Sequence, residues 1–465
     1  MKKVSVGLLK RTAVLLFLAL LLYGVRYAWL SFPIITGYNA KMACSCVFLS
    51  GRELENVEAE ELGSFPLKMA SIKLDTSDHS VTASLFGMAR QKAIYRPGLG
   101  CTLVNEIPEA EIRRQLIKLA THPDINQDTI PWPQGDLLPD SFPPGVQREK
   151  LEKAVQYAFT EKDPGKLWRT RGVIVLYDGK LVAEHYAPGF DRHTPMLSWS
   201  MAKSITGTLI GILVGQGKLN VHQPAPVQEW RSVKDGRENI SLENLLQQTS
   251  GLDFEENYSK SSSATNMLFR RADMGAFTAS IPYRDRPGTK FYYTSGNTNV
   301  LSRIIRQTVG EQEYHAFPAK VLFHKLGMFS AVMEPDASGT FVGSSYVFAN
   351  ARDWARFGLF YANNGIWGTE RILPENWVKE ATTPCPVAPQ GEYGYQFWLN
   401  AGQAGNAVNR KFPDLPSDMY YADGYEGQFV FIIPSKKLVV VRLGQTAGDW
   451  FDASGFLSRI ISALP

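Results

Sequence analysis

The sequence of 465 residues is poor in histidine and cysteine, with seven of the first and four of the second. No two histidines stand at the helical spacing of metal ligands, and no His or Cys cluster has the spacing of a zinc site. No residue is therefore assigned as a metal ligand. A Gly-x-Ser-x-Gly elbow, a His-Glu-x-x-His pair, a Walker loop and a dinucleotide fingerprint are all absent. No organic cofactor is implied. A basic block with interleaved aromatics is also missing, and the net charge is only +4. Part of that charge comes from Lys2, Lys3, Lys10 and Arg11 at the very start. Nucleic acid is excluded as a partner on this ground. Internal repeats and low-complexity tracts are lacking too.

What is present is a chain with a core. Hydrophobic residues make up 44% and charged residues 20%, as in globular proteins. The N-terminus opens basic and then runs apolar from Ala13 to Val25. Thr12 to Phe32 is long enough to cross a bilayer if Arg26 snorkels to the far interface. Gly24-Val25-Arg26 is a poor cleavage site, so residues 1–35 read as an uncleaved signal anchor, with a cleaved signal peptide as the alternative. The basic flank would stay inside and the remainder would be exported. Export permits disulfides, and Cys101 could pair with Cys44 or Cys46.

Residues 36–130 read as a pre-domain of unassigned role, with strand-like patches in "SIKLDTSDHSVTASLFG". Residues 131–145, rich in proline, read as a linker or extended strap. The remaining domain, 146–465, begins with a helix in "QREKLEKAVQYAFT" and a hairpin turning at Asp178-Gly179. A second hairpin turns at Pro434-Ser435-Lys436, and the last residues, "DWFDASGFLSRIISALP", read as helix. Helical patterns fill the middle. This predicts an α+β fold: one antiparallel sheet built from both chain ends, flanked by helices, with a mainly helical subdomain inserted.

The chemistry concentrates in "SWSMAKSITG". Ser200 and Lys203 lie one helical turn apart on one face. Burial would disfavour the ammonium form of Lys203. A neutral amine beside a serine can take its proton and make it a nucleophile. The helix N-terminus destabilises a cation there and stabilises negative charge developing on Ser200. The bland alternative is a serine cap with a solvated lysine.

The segment resembles the nucleophile helix of the serine β-lactamase-related hydrolases. That superfamily includes class C β-lactamases, penicillin-binding carboxypeptidases, family VIII carboxylesterases and aminohexanoate-dimer hydrolases. Other landmarks follow in order. "LLQQTSGL" resembles the family's "LLxHTSGL", with Gln248 where histidine is usual. Tyr293-Thr294-Ser295 resembles the second motif, and "ADGYEGQFVFIIPSKKLVVV" the strand of the third. The resemblance implies a β-lactamase/transpeptidase-like fold and a role for Tyr293 in proton transfer. It also implies that the backbone N–H groups of Ser200 and Tyr425 form an oxyanion hole. Gly424 and Gly427 would let the last strand approach the substrate. Ser295, Glu426 and Trp398 complete the substrate-pocket candidates, although the aromatics of Glu392 to Asn400 also fit a packed strand.

Two departures narrow the reading. Ala422-Asp423-Gly424 replaces Lys-Thr-Gly, so the cation expected to meet a β-lactam or peptide carboxylate is missing there. Ser295 replaces asparagine. Both bring the chain nearer to the carboxylesterase and aminohexanoate-dimer hydrolase branch. The expected function is an exported serine hydrolase cleaving a small ester or amide through a Ser200 acyl-enzyme. Cell-wall DD-peptidase or β-lactamase activity is the alternative, and a non-catalytic binding protein of the same fold is a further one. The sequence does not specify the oligomeric state.

Overall fold

The structure, a computed structural model, describes residues 6–403, 409–448 and 450–465. The basic start at Lys2 and Lys3 and the first residue of the predicted C-terminal helix, Asp449, lie outside them. The first element, α1, runs Val6–Phe48 as one helix with Pro33 inside it. It does not stop at the expected boundary near residue 35. Its N-terminal part carries exposed apolar side chains, up to Trp29 at 74% exposure. From Ile35 to Cys46 the same helix is buried in protein. Over Lys10–Phe48 it is long and apolar enough to cross a membrane.

The buried half of α1 packs against a four-stranded antiparallel meander. Its strands are β1 (Ser71–Asp75), β2 (Ser80–Leu85), β3 (Met88–Arg96) and β4 (Gly100–Leu103). A disulfide joins Cys44 of α1 to Cys101 of β4, and Cys46 remains a buried free thiol. Lys41 of α1 forms a buried ion pair with Glu334, which also accepts hydrogen bonds from Ser45 Oγ (2.9 Å) and Cys101 N (2.6 Å). Ala40, Met42 and Val81 share one continuous core with Ile205, Trp354 and Val441. Residues 36–130 therefore add a layer to the larger domain rather than standing apart from it.

The proline-rich stretch 131–145 is a fixed strap. Arg356 donates to the carbonyls of Pro133 and Gly135 at 2.9 and 2.7 Å, and Trp132 Nε1 donates to Gly179 O at 3.0 Å. The guanidinium also reaches Asp136 at 2.6 Å. The Arg356 contacts come from a helix far along the chain and the Trp132 contact from the Asp178-Gly179 turn, so the stretch is held at several points.

The main sheet has six antiparallel strands. In chain order they are β5 (Thr170–Tyr177), β6 (Lys180–Tyr186), β7 (Trp398–Leu399), β8 (Tyr420–Gly424), β9 (Gln428–Ile433) and β10 (Leu438–Gly444). Their spatial order is β7-β8-β9-β10-β5-β6. The two chain ends meet where β10 pairs with β5, Leu438 opposite Tyr177 and Val441 opposite Ile174. The β5–β6 turn places Asp178 and Gly179 at positive φ (47° and 76°), the geometry of a type I′ hairpin. Helices α2 (Arg148–Ala158) and α7 (Ala453–Ser462) pack on one face around Leu151, Phe431 and Phe456. On the other face lies α6 (Ala351–Ala362), whose Gly358 lets Val430 and Val439 approach. The helical middle carries α3 (Ala202–Gly215), α4 (Ser263–Arg270) and α5 (Ser295–Val309).

Candidate active site

Ser200 sits in the single 3-10 turn Trp199–Met201 that leads into α3. Trp199 just before it has φ +47°, a left-handed conformation that a bulky side chain rarely adopts. The turn is held by Ser198 N donating to Val347 O at 2.9 Å. Ser200 is half-buried, while Lys203, one turn on, is 1% exposed.

The surroundings of Lys203 define its chemistry. Its Nζ lies 3.1 Å from Ser200 Oγ, 3.2 Å from Ser295 Oγ and 3.0 Å from the carbonyl of Ser344. Ser295 Oγ donates its one proton to Glu256 Oε1 at 2.6 Å, so toward Lys203 it can only accept. The Ser344 carbonyl can only accept too. A neutral amine that donates to both is left with its lone pair for Ser200. Burial lowers the Lys203 pKa to about 8, against an opposing pull from Glu256.

Tyr293 directly precedes Thr294, whose side chain caps α5 through Asn297 N. Its hydroxyl faces Ser200, which works against the rise in its pKa, and its ring lies 4.9 Å from Lys203 Nζ. Burial, then the neighbouring Tyr393, push its pKa well above the ordinary tyrosine value. The phenol is thus a proton donor rather than a base at neutral pH. The structure brings Ser200, Lys203, Tyr293 and Ser295 together.

Glu256 and Tyr258 escaped the sequence reasoning. Glu256 accepts from Ser295 N (2.9 Å), Ser295 Oγ and Tyr258 Oη (2.6 Å). The only signal was their place just after the "QQTSGL" segment, in a loop without a motif of its own. The Ser344 carbonyl left no signal at all.

The strand of the third motif passes close to the serine. A Cβ on Gly424 would come within 2.1 Å of Ser198 O, so glycine is required by approach to the nucleophile turn. Tyr425 follows, its ring 5.7 Å from that of Trp199. Glu426 accepts from Trp199 Nε1 at 3.2 Å, and burial raises its pKa to about 7. Gly427, at φ +77°, packs on Arg442 and not toward the serine. Trp398 stacks near Tyr293 with ring centroids 5.2 Å apart. Asp423 pairs with Lys411 at 3.6 Å, a cation from a neighbouring loop that the sequence reasoning did not weigh.

Ser200, Tyr425 and Glu426 line a cavity of about 720 Å³. Of the pocket candidates only Glu426 lines it. Ser295 is turned to Lys203 and Glu256, Gly424 to Ser198, Gly427 to Arg442, and Trp398 to Tyr293. Among the described residues no group of three or more His, Cys, Asp or Glu side chains is arranged to hold a metal ion.

Comparison with known proteins agrees with this architecture. The chain is 28% identical over 304 residues to the 6-aminohexanoate-dimer hydrolase of Paenarthrobacter ureafaciens, covering 59% of this chain and 72% of that one. A family VIII carboxylesterase superposes with a TM-score of 0.53 at 15% identity, covering 69% of this chain and 97% of the other. A penicillin-binding protein homologue from Caulobacter crescentus gives 0.52 at 15% identity, with coverages of 70% and 98%. These last two likenesses are of fold. Residues 167–459 match the family described as Beta-lactamase, and the chain belongs to that family of serine hydrolases.

Proposed function

We propose that the chain is an exported, membrane-anchored hydrolase that cleaves an ester or amide bond through an acyl-enzyme on Ser200. One observation carries the reading: a buried lysine amine 3.1 Å from a serine hydroxyl, with its pKa lowered to about 8. Lys203 takes the Ser200 proton as Oγ attacks the carbonyl. The backbone N–H groups of Ser200 and Tyr425 hold the oxyanion. Tyr293, protonated at neutral pH, gives a proton to the departing alcohol or amine and takes in its place the one Lys203 holds, which restores the neutral amine. Water then attacks the acyl-enzyme, with Lys203 again the base, and the acid leaves. Glu256 acts as a positioning residue through Ser295.

The ester or amide branch is preferred over cell-wall peptide or β-lactam hydrolysis. Ala422 stands where the carboxylate-binding lysine would be, and the nearby charge of Lys411 is matched by Asp423. The relative from Paenarthrobacter ureafaciens is named as a hydrolase of the 6-aminohexanoate dimer, which fits the same branch. Anchoring rests on the bare apolar half of α1. Export is supported by the Cys44–Cys101 disulfide, which belongs to an oxidising compartment.

The test is labelling with a fluorophosphonate probe, wild type against Ser200→Ala, alongside turnover of an aryl ester. An adduct and turnover that both vanish in Ser200→Ala are expected. A wild type with neither removes the hydrolase reading. Parallel assays with a chromogenic cephalosporin and a D-Ala-D-Ala peptide rank the branches, and cephalosporin turnover without esterase activity would reverse the order.

A further inference from the structure

The cavity at Ser200 is walled on one side by the helix that leads to the membrane. Tyr27, Ser31, Ile34, Ile35 and Tyr38 of α1 all line it. Their spacing puts them on a single helical face. At 1.5 Å per residue the lined face extends for roughly 16 Å. Its inner end is beside the nucleophile, where Tyr38 stacks on Trp199 at 6.2 Å. The outer end is at Tyr27, 56% exposed, next to Trp29 at 74% and close to Tyr23 at 69%. Aromatics clustered at the end of an apolar span mark the membrane–water interface. The cavity therefore reaches from the serine to the level of that interface.

A second set of residues marks the same edge. Phe65 lines the cavity and is 75% exposed. Phe86, at the β2–β3 turn, is 65% exposed and lies 6.1 Å from Phe32, where α1 enters the protein. Met88 beside it is exposed as well. Single exposed apolar residues need no explanation. Here three segments bring theirs to the point where a membrane-crossing helix meets the protein, which fits a surface resting on lipid. The cavity's inner wall is apolar at Ile34, Ile35, Leu268 and Phe269. The carboxylates of Glu60, Glu61 and Glu426 line the cavity beside the cations Arg169 and Lys260, and Lys260 pairs with Glu255 at 2.5 Å. The arrangement suits an uncharged chain more than a soluble anion.

We propose that the substrate is a long-chain acyl ester or amide drawn from the membrane that α1 crosses. The chain lies along the Tyr27–Tyr38 face of α1 and the carbonyl reaches Ser200. Oγ forms a bond to the carbonyl carbon, and the bond to the headgroup oxygen or nitrogen breaks. That atom takes a proton and leaves as the alcohol or amine. Water then releases the fatty acid and restores Ser200. This inference rests on the hydrolase and anchor readings above.

The experiment uses the full chain in phosphatidylcholine vesicles, with fluorogenic umbelliferyl esters and coumarinyl amides from acetyl to palmitoyl. Each buried methylene contributes about a fourfold gain in kcat/KM, so with only about four of the added methylenes buried palmitoyl should exceed acetyl by at least about 100-fold. Ser31→Trp, which fills the α1 face of the cavity, should lower the palmitoyl-to-acetyl ratio at least about tenfold. Phe86→Ser, an exposed change, should lower turnover in vesicles relative to detergent-dispersed substrate. Ser200-dependent acetyl turnover that stays level or falls with chain length overturns the lipid inference and leaves the hydrolase reading standing. No Ser200-dependent turnover of any member, with no fluorophosphonate adduct, removes the hydrolase reading and this inference with it.

Discussion

Replacing Glu256 by glutamine should move the acidic limb of the pH–rate profile to lower pH. The active form of Lys203 is the neutral amine, so kcat/KM rises with pH through the lysine pKa, near 8. At pH 7 about a tenth of the lysine is then neutral, against about 0.03% for an ordinary amine. Glu256 opposes this depression. Its carboxylate touches Ser295 Oγ at 2.6 Å, and that oxygen is 3.2 Å from Lys203 Nζ, so the charges lie within about 6 Å. At that distance the pair is worth about 0.7 kcal/mol in water and about 2.8 kcal/mol at an effective dielectric of 20. Glu256→Gln removes the anion that favours the ammonium form. The limb should fall by about half a unit to two units of pH. The measurement is kcat/KM for a soluble aryl ester between pH 5 and pH 9, wild type against variant. A limb that stays put, or moves up, refutes the role assigned to Glu256 and the lysine-as-base argument built on it.

Lys203→Met should abolish turnover and stabilise the fold. The native state holds fewer protons on Lys203 than the unfolded chain between about pH 8 and 10.5, so stability rises with pH across that window. Below it the buried amine costs up to about 3 kcal/mol, which methionine would recover, and urea unfolding at pH 7 and pH 10 checks both parts. Gly424→Ala forces a Cβ against Ser198 O and should cut kcat/KM about 100-fold by displacing the nucleophile turn, with unfolding curves separating this from loss of fold. Replacing Cys44 and Cys101 by alanine opens a loop with a sequence separation of 57 and should cost about 4 kcal/mol of stability, read by thermal unfolding.

Features written in neighbouring residues were legible in the sequence. The Asp178-Gly179 hairpin and the Ser200–Lys203 turn are both local, since one turn type and one helical repeat decide them. The main sheet could be expected because strand patterns cluster at the two chain ends. What could not be read depends on distant partners. Glu256 matters only because Ser295 lies beside it after folding. Residues 131–145 read as a linker or an extended strap, and the choice between them rests on Arg356, which lies far along the chain. The apolar span was read only as far as Phe32, yet α1 continues because Ala40, Met42, Ala43 and Cys44 find the meander and the main core. Of the pocket candidates Glu426 lines the cavity and the others turn to nearer neighbours. Being next to a motif says little about which way a side chain turns once Arg442 or Tyr293 offers a closer partner.

The pairing of β5 with β10 has a consequence for how the molecule comes into being. Tyr177 meets Leu438 only after the whole helical middle has been synthesised. Contacts of such long sequence separation make folding slow, because loop closure precedes any reward from pairing. Until then the β5–β6 hairpin presents the apolar row Val173, Ile174, Val175 and Leu176 with one edge open, a template for pairing with other chains. A product truncated before Leu438 would keep Ser200 and Lys203 yet carry that open edge permanently. Aggregation, and not a weaker enzyme, is what such a truncation should yield.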